Sequence, residues 1–81
     1  MITIGKQLKE LRKMHGWTQE FVANRLNIAR VNYTRYELDT NCPDFDMLID
    51  IANLYEVPLD ALFGRTPPFI FLPPTHPPKQ R

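Results

Sequence analysis

The chain has 81 residues, a formal net charge of +1 and one cysteine, Cys42. From that length we expect a single domain with a small core and no separate catalytic or effector-binding domain. A lone cysteine excludes an internal disulfide and a zinc site with paired cysteines, and neither His15 nor His76 has a second ligand at metal spacing, so we expect no metal and no cofactor.

The apolar segments are too short for a membrane protein. None approaches the roughly 20 apolar residues of a membrane span. The N-terminus also lacks the long apolar stretch of a signal peptide. We therefore expect a cytoplasmic protein without a membrane partner.

The charge is unevenly divided along the chain. Residues 1–37 carry seven basic and three acidic side chains, a net charge of +4. Residues 38–64 carry six acidic side chains and no basic one, and residues 65–81 restore the total with three basic side chains. Such asymmetry turns a basic half towards phosphate while limiting indiscriminate adhesion.

The first predicted helix covers about residues 4–15. Its apolar positions Ile4, Leu8 and Leu11 recur at spacings of four and three residues, which places them on one face. Gly16 follows as a residue suited to end a helix. The pattern predicts an amphipathic helix with one buried face.

Residues 17–27 predict a second, shorter helix and a tight turn. We interpret Trp17 as a core anchor at the corner between the helices. Thr18 offers a hydroxyl cap, and Asn27 is one of the few residues besides glycine that tolerate a left-handed backbone. The apolar residues between them recur at helical spacing and are Phe21, Val22 and Leu26.

A third helix is predicted from about residue 30. Its spacing places Tyr33 and Tyr36 inward. The residues left on the outer face are Arg30, Val31, Asn32, Thr34 and Arg35. A helix-turn-helix that presents arginine and asparagine from its second helix is suited to reading DNA.

Two more helices complete the predicted domain. Asp44 behind Pro43 caps a fourth helix. Its apolar residues are Phe45, Leu48, Ile49, Ala52 and Tyr55. Pro58 opens a short fifth helix that Gly64 ends, and its apolar residues are Leu59, Leu62 and Phe63. Five helices with short connections predict a compact all-α domain over residues 1–64.

Residues 65–81 form a proline-rich tail that cannot be helical. They hold six of the eight prolines, which favour an extended conformation. An apolar run interrupts the prolines and consists of Phe69, Ile70, Phe71 and Leu72. The tail is either disordered, or packed on a second subunit, or docked on a different protein partner.

Several motifs follow one another in the order of a known family. They are the segments IGKQLKELRK, GWTQE, RYE, CPD and VPLDALFG within residues 4–64. On these motifs the chain resembles the lambda-repressor-like (Xre/Cro-type) helix-turn-helix regulators, which implies their five-helix fold and DNA binding.

Three positions depart from the family pattern. Asn27 replaces the usual turn glycine, Ala29 cannot cap the third helix, and Tyr33 replaces a buried aliphatic residue and needs a partner for its hydroxyl.

By this resemblance, the third helix enters the major groove and its outer residues contact bases. Arg30 is the leading base reader, because a guanidinium can bond guanine O6 and N7 together. Val31 would meet a thymine methyl and Asn32 an adenine. Thr34 and Arg35 would touch either bases or backbone.

The first predicted phosphate contact lies at the start of the second helix. The family uses the residue matching Gln19 for contacts to the DNA backbone and sometimes to bases, and a helix N-terminus attracts phosphate. The further candidates are Thr18, Asn41, Cys42, Lys6 and Arg12. The resemblance also implies a buried salt bridge between Arg12 and Glu37, so Arg12 has mainly a structural role.

The resemblance further implies a homodimer that reads an inverted repeat in double-stranded DNA. The predicted dimer interface combines the fifth helix with the tail. Its residues are Leu59, Leu62, Phe63, Phe69, Ile70, Phe71 and Leu72.

The leading hypothesis is a sequence-specific transcriptional regulator, more often a repressor than an activator in this family. It would be of bacterial or phage type and associated with the nucleoid. The alternative is an antitoxin or a protein-interaction adaptor whose tail binds a partner. An enzyme is not expected, because no catalytic constellation of side chains stands out.

Overall fold

The computed structural model describes residues 3–64, which form five α-helices and no strand. The helices are α1 (Gly5–His15), α2 (Gln19–Leu26), α3 (Arg30–Glu37), α4 (Phe45–Tyr55) and α5 (Leu59–Leu62). This confirms the predicted all-α, five-helix architecture. The helices within residues 3–64 are all too short to cross a membrane, the longest having 11 residues. The tail, with the predictions made for it, lies outside the described residues.

Local signals in the sequence set most of the helix ends. Gly16 (φ 73°) and Asn27 (φ 63°) close α1 and α2 in the left-handed conformation, as predicted. The Thr18 hydroxyl accepts a hydrogen bond from the Phe21 N–H at 3.0 Å, and the Asp44 carboxylate accepts one from the Met47 N–H at 2.9 Å. Both predicted N-caps are therefore confirmed.

All five helices contribute to one core. Its fully buried large side chains are Leu8, Leu11, Val22, Tyr33, Ile51, Tyr55 and Leu62. Among the apolar residues of α4, Phe45 is 67% exposed, whereas Ile51, which the predicted set omits, is fully buried. The inward face of α4 runs through Leu48, Ile51 and Tyr55, which a helical spacing of three and four residues aligns.

The start of α1 packs directly against the end of α3. The Asp39 Oδ1 accepts hydrogen bonds from the main-chain N–H groups of Ile4 and Gly5, each at 3.0 Å. A side chain 35 residues away thus caps a helix whose own N-cap residue, Ile4, has no capping side chain. The approach is so close that a Cβ on Gly5 would overlap the Glu37 carbonyl oxygen. Gly5 is therefore required by the packing of α1 on α3.

We expect Gly5→Ala to destabilise the domain more than Gly16→Ala does. The added methyl at position 5 meets main-chain atoms, and overpacking of this kind typically costs about 1–3 kcal/mol or more. At position 16 the added methyl meets nothing within 4 Å, so the cost is the strain of a left-handed alanine, about 1–2 kcal/mol. Urea unfolding of both variants measures the order, and equal losses would contradict the close approach at Gly5.

Candidate nucleic-acid interface

One side of α3 is turned to solvent. Arg30, Val31, Asn32 and Arg35 are exposed, whereas Tyr33 is fully buried and holds the helix to the core. Val31 is 54% exposed, so its apolar side chain is accessible on this face. The outer face of α3 thus presents two guanidinium groups, an amide and an apolar side chain together.

The start of α2 lies beside this face. A shallow depression joins the two helix N-termini, and its walls are formed by Arg12, Trp17, Thr18, Gln19, Glu20 and Arg30. Thr18 uses its oxygen as an acceptor in the cap, so its own O–H remains available as a donor. The depression therefore combines the exposed Arg30 guanidinium with the positive end of the α2 dipole, and the Glu20 carboxylate also lies in its wall.

A bidentate ion pair connects α1 to the end of α3. Arg12 Nε donates to Glu37 Oε2 at 2.7 Å, and Arg12 Nη2 donates to Glu37 Oε1 at 3.1 Å. Arg12 Nη1 also donates to the Trp17 carbonyl at 3.1 Å, which ties in the segment before α2. The side chains of Arg12 and Glu37 are only 14% and 3% exposed. The salt bridge that the resemblance implies is thus present, and little of Arg12 is left for a phosphate.

The surroundings of this pair favour its charged form. Burial alone would raise the pKa of the Glu37 carboxyl, but hydrogen bonds from Arg12 and Gln19 outweigh it and hold the pKa below its ordinary value. The hydrogen bond to Glu37 likewise raises the pKa of Arg12. A carboxyl with a lowered folded-state pKa stabilises the fold above its ordinary pKa. That stabilisation is lost as the pH falls through the folded-state value.

Glu37 also organises two predicted DNA contacts. Gln19 Nε2 donates to Glu37 Oε1 at 3.0 Å, and the Thr34 hydroxyl donates to Gln19 Oε1 at 2.9 Å. Sequence reasoning treated Gln19 and Thr34 as independent DNA contacts and missed this connection. The available signal was the helical spacing of Thr34 and Glu37, which puts both on the side of α3 that faces α2.

The buried Tyr33 hydroxyl finds its partner in α4. Its oxygen lies 2.7 Å from the Tyr55 hydroxyl oxygen, and both side chains are buried. Burial raises the pKa of both tyrosines well above the ordinary value, so both stay protonated. This pair explains how a tyrosine fits where the family usually buries an aliphatic residue.

The remaining predicted phosphate contacts are placed less favourably. The Asn41 N–H donates to the Arg35 carbonyl at 3.3 Å, and the Cys42 N–H donates to Asn41 Oδ1 at 3.2 Å. A phosphate would have to displace these bonds to use either main-chain donor. Lys6 is exposed on α1. Ala29 provides no side-chain cap for α3, as predicted.

The predicted dimer residues fall into three groups. Leu59 and Phe63 are half-buried and keep part of their surface. Leu62 is fully buried in the core of the domain, because the inward face of α5 takes it together with Ala61, so it has no surface to offer a second subunit. Phe69, Ile70, Phe71 and Leu72 lie outside the described residues.

We expect Arg12→Met to cost about 3–5 kcal/mol of unfolding free energy, because it leaves the Glu37 carboxylate buried without its cation. The double variant Arg12→Met/Glu37→Met removes both charges, and should be no less stable than Arg12→Met alone. Chemical denaturation of the two single variants and the double variant measures this coupling. Simply additive losses would show that the pair contributes no interaction of its own.

Comparison with known proteins agrees with this geometry. Residues 8–62 match the family model HTH_3, described as a helix-turn-helix. The HTH-type transcriptional regulator ImmR of Bacillus subtilis is 44% identical over 64 residues, which are 79% of this chain and 50% of ImmR. The phage CTXphi transcriptional repressor RstR from Vibrio cholerae is 32% identical over 62 residues, 76% of this chain and 55% of RstR. The chain spans about half the length of these curated relatives.

Solved structures show the same fold. A transcriptional regulator from Listeria innocua superposes with a TM-score of 0.73 at 26% identity, covering 82% of this chain and 62% of that one. The restriction-modification controller protein C.AhdI from Aeromonas hydrophila superposes with a TM-score of 0.71 at 22% identity, covering 76% of this chain and 94% of that one. The chain belongs to the HTH_3 family of lambda-repressor-like helix-turn-helix transcriptional regulators.

Proposed function

We propose that this protein is a sequence-specific DNA-binding transcriptional regulator that acts as a repressor from a dimer on an inverted repeat. The observation that carries the proposal is the outer face of α3, where Arg30, Val31, Asn32 and Arg35 are exposed beside the N-terminus of α2. The relatives support the proposal, since ImmR is a transcriptional regulator and RstR a transcriptional repressor.

Each exposed side chain of α3 has a matching feature in the major groove. Arg30 stands at the first position of α3 and would bond guanine O6 and N7, a contact worth roughly 1–3 kcal/mol of discrimination. Val31 would pack on a thymine methyl, and Asn32 would bond adenine N6 and N7. Arg35 lies further along the helix and would contact a base or a phosphate.

The proposed contacts to the DNA backbone come from residues at the start of α2. The Thr18 hydroxyl proton and the Gln19 amide are donors, as phosphate oxygens require. Both lie in the depression that also holds Arg30, so a phosphate seated there would orient α3 in the groove. Phosphate contacts of this kind set the position of the protein, and the α3 side chains then distinguish the bases.

We propose a dimer because the DNA-reading surface of one domain is small. One domain presents few base readers, whereas a twofold dimer places two recognition helices about 34 Å apart on one side of the DNA. Leu59 and Phe63 at α5 retain exposed apolar surface for this contact, and the segment 69–72 is the proposed extension of it. Repression would then result from occupying DNA that polymerase needs, with binding rather than catalysis as the activity. We place this action on the nucleoid, in the cytoplasm of a bacterial cell.

The test begins with selection of bound sequences from a random pool of duplexes. Fluorescence anisotropy then measures affinity for a selected duplex and a scrambled one, each at two salt concentrations. We expect Arg30→Ala/Arg35→Ala to lose tenfold or more in affinity for the selected duplex, because base contacts are removed. The matched control Lys9→Ala/Lys13→Ala removes the same charge from the exposed side of α1, and should weaken binding to both duplexes equally.

Two outcomes would contradict the proposal. Equal weakening of the two duplexes by Arg30→Ala/Arg35→Ala would show that α3 supplies charge but reads no sequence. Failure of the selection to enrich any sequence would favour the adaptor alternative, in which the tail binds a protein. The protein should bind a duplex that carries one half-site more weakly than the whole selected duplex. Equal affinity for the two would contradict the proposed dimer.

A further inference from the structure

The Gln19 side chain is held at both ends of its amide. Its nitrogen donates to Glu37 Oε1 at 3.0 Å, and its oxygen accepts from the Thr34 hydroxyl at 2.9 Å. Both partners belong to α3, whereas Gln19 is the first residue of α2. The amide therefore spans the two helices of the helix-turn-helix.

The ion pair decides which way the amide faces. A carboxylate has no hydrogen to donate, so Glu37 can bond the nitrogen of Gln19 but would repel its oxygen. Arg12 holds the carboxylate in its charged form through two hydrogen bonds. With the nitrogen fixed on Glu37, the oxygen is directed to Thr34, whose hydroxyl donates to it.

This arrangement leaves one N–H group of the Gln19 amide free, whereas the only hydroxyl proton of Thr34 is used in the hydrogen bond to Gln19. An amide nitrogen has two N–H groups, and Glu37 takes one of them. Within residues 3–64 the second N–H has no hydrogen-bond partner, and Gln19 is half-buried in the depression that contains Thr18 and Arg30. Phosphate oxygens accept hydrogen bonds and do not donate them, so the free group on Gln19 matches a phosphate.

Thr34 is placed differently from its neighbours on α3. Its side chain is half-buried and its single proton is engaged with Gln19, whereas Arg30, Asn32 and Arg35 are exposed and form no side-chain hydrogen bond within residues 3–64. A hydroxyl that directs its proton into the protein can offer DNA only an acceptor, which a phosphate cannot use. Thr34 is therefore connected to the DNA-facing side through Gln19.

We propose that Thr34 is a positioning residue that, with Glu37, fixes the Gln19 amide so that its free N–H meets a DNA phosphate, and that Thr34 does not read a base. This inference rests on the proposed function, because it concerns how the same surface holds DNA. It reassigns Thr34 from the set of base readers and gives Glu37 a second role beside its pairing with Arg12.

A double-mutant cycle on the selected duplex tests the proposal. Thr34→Val keeps the shape of the side chain without the hydroxyl, and should lower affinity by about five- to tenfold, the equivalent of one hydrogen bond. Gln19→Ala should lower affinity at least as much. In the Gln19→Ala background Thr34→Val should have no further effect, and Thr34→Ser, which keeps the hydroxyl, should bind like the unchanged protein.

The sequences that the variants select distinguish a positioning role of Thr34 from direct base reading. If Thr34 acts through Gln19, Thr34→Val selects the same sequence as the unchanged protein, only with lower affinity. A changed base preference at one position of each half-site, or a loss that persists in the Gln19→Ala background, would overturn the proposal. Thermal melting of each variant shows whether it is folded.

NMR of the full chain without DNA separates this proposal from the proposed function. The two Gln19 side-chain N–H signals should differ from those of a free glutamine, and Thr34→Val should move them towards the free values. Free-like signals in the unchanged protein would overturn the proposal whatever the DNA result. If no sequence is selected while these signals remain distinct, DNA binding itself has failed and both proposals fall.

Discussion

The ion pair between Arg12 and Glu37 is the interaction on which the rest of the domain depends. It joins α1 to the last residue of α3, and its remaining donors and acceptors reach the Trp17 carbonyl and the Gln19 amide at the entrance to α2. Three helices therefore meet at one buried carboxylate. Because removing one charge of such a pair leaves the other buried and unpaired, these helices are expected to keep their relative positions or to lose them together.

This connection is needed because α3 would not be stable as an isolated helix. It has eight residues, begins without a side-chain cap, and buries fully only Tyr33. Isolated helices shorter than about 12–15 residues are marginal in water. The core holds α3 in its middle through the Tyr33–Tyr55 hydroxyl pair, and the ion pair holds its end. With these anchors on one side, the other side of α3 is free to carry polar residues that contribute nothing to packing.

Sequence reasoning succeeded where the signal is local and failed where distant residues meet. The turns at Gly16 and Asn27 and the caps at Thr18 and Asp44 depend on neighbouring residues, so they could be read directly. In α4 the closely spaced apolar residues are compatible with more than one buried face, and only packing decides that Ile51 is buried and Phe45 exposed. The Asp39 cap on α1 and the contact of Gln19 with Thr34 connect residues that are distant in sequence, so neighbouring residues alone do not identify both partners. The Arg12–Glu37 pair was expected from family resemblance alone.

The outer side of α3, held beside the start of α2, is the surface that we propose meets DNA. Titration of the full chain with a selected duplex, followed by ¹H–¹⁵N NMR, measures this surface residue by residue. We expect the main-chain signals of residues 18–19 and 30–35 to change most, while those on the outer side of α4 around Asp50 stay in place. Changes centred on the acidic residues of α4, with residues 30–35 unaffected, would contradict it.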